Sequence, residues 1–208
     1  MVKHIVCFGD SNTHGYCADP GDCSEGGRFN EEERWTSLLQ KALGAEYLIC
    51  EEGLTGRTTA FSDPLRESMN GLDSIYSSIM SHEPVDLLII MLGTNDVKER
   101  FGLQAKDIAR GMERLILKAK SLPAWRENKA KILVIAPPHI SPKRDPEFHR
   151  KSAELANHYE ASARRLGCEF LDAEGIGVFN TIDYMHLTRQ GHADLAEKLA
   201  EILPALLK

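Results

Sequence analysis

The chain has 208 residues, 42% of them hydrophobic and 27% charged, with 25 Lys and Arg against 31 Asp and Glu for a net charge of −6. That size and composition suit one domain, residues 1–208, with a full core of its own, and exclude a disordered or fibrous chain. The acidity and the lack of any basic run argue against nucleic-acid or membrane partners.

The first element is a strand over residues 3–8 (KHIVCF). Because it starts so early, the opening residues read as structure rather than as a secretion signal. Asn30 followed by Glu33 predicts a capping box. Trp35, Leu38, Leu39, Ala42 and Leu43 then line one helix face, and Gly44 stops it. Residues 47–51 form the second strand. Leu72, Ile75, Ile79 and Met80 predict a short helix ending before Pro84, and 86–92 (DLLIIML) is the third strand. Its apolar run, Leu87 to Leu92, is far too short to span a membrane. Ile108, Met112, Leu115, Ile116 and Ala119 predict the next helix. A fourth strand covers 131–136. Asp145 and Pro146 read as N-cap and N1 of a helix that ends at Gly167. The fifth strand is 168–172, and Thr188 caps a last helix with Leu195, Leu199, Ile202 and Leu203 on one face.

Strands alternating with helices, two of the strands apolar throughout, predict a three-layer α/β/α fold with a five-stranded parallel sheet. Five cysteines without a CxxC pair predict free thiols and a reducing, cytoplasmic setting, although Cys17 and Cys23 share one loop. Residues 17–28 read as a surface loop rather than a hinge.

Ligands of such sheets bind beyond the carboxyl ends of the strands. The loop after the first strand is Gly9-Asp10-Ser11-Asn12-Thr13, which places a serine where free N–H groups begin a helical turn. After the second comes Gly53-Leu54-Thr55-Gly56, and after the third Gly93-Thr94-Asn95-Asp96. His139 follows the fourth strand as a pocket wall. Before the last helix, Asp183-Tyr184-Met185-His186 sets a carboxylate three residues from an imidazole. Each signal alone has a plain alternative: a capping serine, a glycine turn, an Asn/Asp turn, an exposed turn. Together they supply a nucleophile, a base, an orienting acid and oxyanion donors on one sheet edge.

These blocks, in this order, resemble the SGNH hydrolases, also called the GDSL esterase/lipase family, over nearly the whole chain. Asn12 stands in place of the Leu in the family's name. Glu51 stands where many members have Asn, two residues before the first glycine of the second block. Residues Glu51–Thr59 and Ile90–Asp96 look like the arylesterase/acyltransferase branch. The resemblance implies a flavodoxin-like SGNH fold and a Ser11–His186–Asp183 triad. It also implies an oxyanion hole from Ser11, Gly56 and Asn95, and short-chain acyl esters as small-molecule substrates. Acyl transfer to alcohols, no cofactor, no metal and a homo-oligomer belong to the same expectation. Asn12, Tyr16, Thr94 and His139 are the expected substrate-binding residues. Asp10 is expected to support the loop and Trp35 to belong to the core.

A carbohydrate acetylesterase or a thioesterase would use the same machinery. An ordinary α/β-hydrolase is excluded because no G-x-S-x-G occurs. A dinuclear metallophosphoesterase could draw ligands from Asp10, Asn95, Asp96, Asp183 and His186 but leaves Ser11 idle. A flavodoxin-like phosphate loop over Ser11–Tyr16 leaves Asp183 and His186 idle.

Overall fold

The computed structural model describes residues 1–208. Five strands, β1 (Lys3–Gly9), β2 (Tyr47–Gly53), β3 (Leu87–Met91), β4 (Ile132–Ala136) and β5 (Glu169–Asp172), pair in parallel in the order β2-β1-β3-β4-β5. The helices are α1 (Ser11–His14), α2 (Trp35–Leu43), α3 (Gly71–Met80), α4 (Ala105–Lys120), α5 (Pro146–Leu166) and α6 (Arg189–Leu206). The expected α/β fold is therefore present, with strand limits within a residue or two of those read from the sequence.

β3 (LLIIM) and β4 (ILVIA) are apolar throughout because both faces are covered. In β3, Leu88 and Ile90 face one core, with Ile75 and Ile79 of α3, Ile108 and Met112 of α4 and Tyr159 of α5. Leu87, Ile89 and Met91 face the other, with Trp35 and Leu39 of α2 and Leu195, Leu199 and Leu203 of α6. Each such buried side chain contributes roughly 2 kcal/mol, so the sandwich stands without covalent staples. All five cysteines are unpaired. No helix is long and apolar enough to cross a membrane.

The start of α2 differs from expectation. Asn30 N–H does donate to Glu33 Oε2 (3.0 Å), but Asn30 Oδ1 accepts from Glu32 N–H (2.9 Å), not from Glu33. The pair closes a separate turn, and the helix begins at Trp35 after Arg34. Glu33 also binds Ser24 and Arg189. Asp22 accepts from Arg189 N–H (2.7 Å), so residues 17–28 form a surface loop tied to the start of α6.

The strand order reverses direction at β1: the chain runs outward to β2 and returns to β3 on the other side. The crevice at such a reversal lies between the loops after β1 and β3. Those are the loops of Ser11 and Asn95.

Candidate active site

Ser11 opens α1, a helix of four residues capped by Asp10, whose side chain accepts from Asn12 N–H (2.9 Å). Gly15, left-handed at φ 84°, ends it. The turn lies hard against the end of β2: a Cβ on Gly53 would come within 2.2 Å of His14 N. Ser11 is thereby held at the sheet edge, 2% exposed. Its backbone N–H has no acceptor in the protein, as expected for the first residue of a helix.

His186 reaches this serine from the opposite end of the sequence. Its Nε2 lies 2.8 Å from Ser11 Oγ and its Nδ1 2.6 Å from Asp183 Oδ2. Asp183 Oδ1 accepts from Asn180 Nδ2 (3.0 Å), Met185 N–H (3.1 Å) and His186 N–H (3.3 Å). Burial raises the Asp183 pKa, but the hydrogen bonds from His186, Met185 and Asn180 outweigh it and hold the carboxyl at about 2. An ionised carboxylate can only accept, so Nδ1 carries the proton and Nε2 is left to accept from Ser11 Oγ–H. Asn180 also donates to the His186 carbonyl (2.8 Å) and bonds the N–H groups of Ile182 and Asp183. Sequence reasoning missed it. Its signal was an Asn three residues before Asp183, a spacing typical of side-chain-closed turns.

Gly56, at φ 92°, and Asn95 complete the cleft floor. Gly56 N–H, like that of Ser11, has no protein acceptor. Asn95 Nδ2 donates to the Arg57 carbonyl (3.0 Å), and its Oδ1 accepts from Lys98 Nζ (2.7 Å). A lysine can only donate and a carbonyl only accept, so the two contacts fix which way the amide points. The other Nδ2 hydrogen makes only a long contact, to Asp10 Oδ2 (3.5 Å), beside the serine loop.

Glu51 does not replace the missing Asn as an anchor of this loop. It binds Arg28 (2.7 Å) and Arg34 (2.8 Å). The loop is held by Leu54 N–H on the Gly9 carbonyl (3.1 Å) and by the buried Arg57. Arg57 donates to the Gly9 carbonyl (2.9 Å) and to that of Glu52, and stacks 4.1 Å over the Phe8 ring. Burial lowers its pKa to about 10, and it retains its charge at neutral pH. Neither Arg57 nor Lys98 stood out in the sequence, because each matters only through contacts the fold creates.

The expected substrate-binding residues divide. Tyr16 lines the cleft and tilts over the His186 ring, centroids 4.6 Å apart. Asn12 does not: its Nδ2 donates to the Met185 carbonyl (3.2 Å) and its Oδ1 accepts from Leu187 N–H (2.9 Å), bracketing His186. Thr94 is buried at 2% exposure beneath the floor. His139 lies off the cleft lining, with its backbone N–H bonded to Glu174 (2.7 Å). Trp35 is core, as expected, and its Nε1 supports the serine turn through the Asn12 carbonyl (3.1 Å).

The ligand set of a metallophosphoesterase is not assembled. Asp96 is committed to Thr59 N–H (2.9 Å) and Oγ1 (2.6 Å), and Asp183 to His186. No group of three His, Cys, Asp or Glu side chains is arranged around a common point. The cleft itself, about 300 Å³, is open, and its lining residues are polar or glycine apart from Tyr16 and Met185.

Comparison with known proteins gives a consistent outcome. The family profile described as GDSL-like Lipase/Acylhydrolase matches residues 7–193. The chain is similar to the solved aryl esterase of M. smegmatis, at 36% identity and a TM-score of 0.88, over 99% of this chain and 100% of that one. It is also similar to a carbohydrate acetylesterase from Sinorhizobium meliloti, at 34% identity and a TM-score of 0.87, over 98% and 99%. A member of the lipolytic protein G-D-S-L family from Veillonella parvula, 17% identical at a TM-score of 0.70 over 98% and 99%, shares the fold. Among curated proteins none matches.

Proposed function

The chain belongs to the GDSL-like lipase/acylhydrolase family and is an esterase, and from that premise we propose that it hydrolyses short-chain acyl and aryl esters with Ser11 as nucleophile. The observation that carries this reading is the unbroken relay from Ser11 Oγ through His186 (2.8 Å) to Asp183 (2.6 Å). Ser11 Oγ attacks the ester carbonyl as its proton passes to His186 Nε2. Asp183 keeps the ring oriented and stabilises its charged form. The oxyanion is received by the N–H groups of Ser11 and Gly56 and by the Nδ2 hydrogen of Asn95 that otherwise makes only the long 3.5 Å contact to Asp10 Oδ2. Collapse of the tetrahedral intermediate expels the alcohol, which takes the proton from His186. Water, or a second alcohol, then repeats the sequence on the acyl-serine.

The small, open cleft supports a short acyl group. The hydrogen-bonding side chains among its lining residues suit a hydroxylated alcohol, so a sugar acetate is the second reading, in line with the acetylesterase neighbour. The five unpaired cysteines support a cytoplasmic setting. Self-association, implied by the branch resemblance, is tested by light scattering.

The test is a series of p-nitrophenyl esters from acetate upward, run beside acetylated sugars and with Ser11→Ala as control. Turnover that falls sharply beyond butyrate and vanishes in the variant supports the proposal. Equal turnover of long-chain esters contradicts the short-acyl part of it.

A further inference from the structure

The cleft of this acidic protein is rimmed by cations. Arg66, Lys98 and Arg144 line it, and Asp183 is its single lining carboxylate. None of the three cations is in an ion pair, whereas elsewhere arginines pair with carboxylates: Arg34 with Glu51, Arg100 with Asp63, Arg126 with Asp86 and Arg150 with Glu147. The buried Arg57 and the exposed Arg114 are the exceptions. Carboxylates near the cleft are already committed. Asp183 is bonded to His186, Asp63 is bidentate to Arg100 (3.0 and 2.6 Å), and Asp10 is buried beneath the floor.

These cations also sit next to the reacting centre. Arg66 Nη2 donates to the Thr55 carbonyl (3.2 Å), and its guanidinium lies against Gly56. Lys98 Nζ holds Asn95 Oδ1 (2.7 Å). Arg144 approaches from the loop between β4 and α5, on the other wall. Like charges gathered around one hollow repel each other, and an anion entering it relieves that repulsion.

We infer that the esters this enzyme cleaves carry an anionic group, such as a carboxylate, close to the scissile bond, and that Arg66, Lys98 and Arg144 select for it. The inference rests on the esterase reading and narrows its substrate class. It applies to an anion on either the acyl or the alcohol side, because the cations surround the hole rather than one arm of it.

The experiment compares charged and uncharged esters in pairs, with spontaneous hydrolysis subtracted. 3-Acetoxybenzoate is set against its methyl ester for the alcohol side, and 4-nitrophenyl hydrogen glutarate against 4-nitrophenyl butyrate for the acyl side. The expected result is a kcat/KM preference of about fivefold to tenfold for the charged member of at least one pair at low ionic strength. The preference shrinks towards unity at about 0.5 M salt. It falls in Arg66→Gln/Arg144→Gln and in the exposed-site variant Arg144→Gln alone, and it reverses in Arg144→Glu. Equal kcat/KM within both pairs, or a preference insensitive to salt and to all these variants, overturns the inference. Loss of Ser11-dependent hydrolysis of the uncharged esters would instead count against the esterase chemistry itself, so the two failures are distinguishable.

Discussion

Asn12 follows the nucleophile in the chain, yet its side chain works on residues at the far end of the sequence. By accepting from Leu187 N–H and donating to the Met185 carbonyl it clamps the segment that presents His186 to Ser11. Asn12→Ala is therefore expected to lower kcat by about tenfold or more while leaving KM little changed, because it loosens the base rather than a substrate contact. A rise in KM at constant kcat would return Asn12 to the substrate pocket. Asn95→Ala is expected to lower kcat by about 10²- to 10³-fold, the usual loss for one oxyanion donor. Asp183→Asn should cost roughly 10⁴-fold in kcat, since an amide can no longer hold the His186 tautomer. Its melting temperature is expected to change little, and a collapse in stability would make the residue primarily structural.

At the scale of elements, the site depends on how tightly the short helix α1 is seated between strand ends. Gly53→Ala would put a methyl group into the His14 backbone, an obstacle no rotamer change can avoid. Displacing α1 is expected to cost about 1–3 kcal/mol of stability and to lower kcat through Ser11. Unchanged melting and unchanged kcat would show that the turn can give way. This level also separates what the sequence discloses from what it conceals. Strand limits were legible because β3 and β4 are buried on both faces, and the starts of α5 and α6 were legible from their caps, Asp145 and Thr188. The Ser11 and Asn95 blocks were legible because each follows a strand within a few residues, and Asp183-x-x-His186 because it sets a carboxylate three residues from an imidazole just ahead of α6. The start of α2 was misread because Asn30 Oδ1 takes Glu32 N–H rather than Glu33 N–H, so the pair closes a separate turn and the helix starts only at Trp35. The clamp at Asn12, the anchor at Arg57, the lysine behind Asn95 and the turn closed by Asn180 were illegible. Each acts by a hydrogen bond whose partner's position is set by the fold.

For the molecule as a whole, the site is bought with buried charge on both sides of the Asn95 loop. Asp96 is 0% exposed, and burial, aided by Asp10 and opposed by the Thr59 hydrogen bonds, raises its pKa to about 6. A folded-state pKa above the unfolded value means the native protein binds the extra proton between about pH 4 and 6. Stability from this group is thus present below about pH 4 and is lost as pH rises through 6. Relative to Asp96→Asn, the wild type is expected to lose up to about 3 kcal/mol between pH 4 and 7, read by urea unfolding at each pH; a pH-independent difference would show that Asp96 is not shifted. Asp183 acts oppositely: its pKa lies near 2, so its stabilisation is present above about pH 4 and is lost as pH falls towards 2. Covalent labelling by a serine-directed phosphonate, located by peptide mass mapping, tests the role of Ser11 most directly. The predicted result is one phosphonate per chain on Ser11, lost in Ser11→Ala and strongly slowed in His186→Ala; a fully active enzyme that takes up no label, or takes it up at another residue, would contradict it.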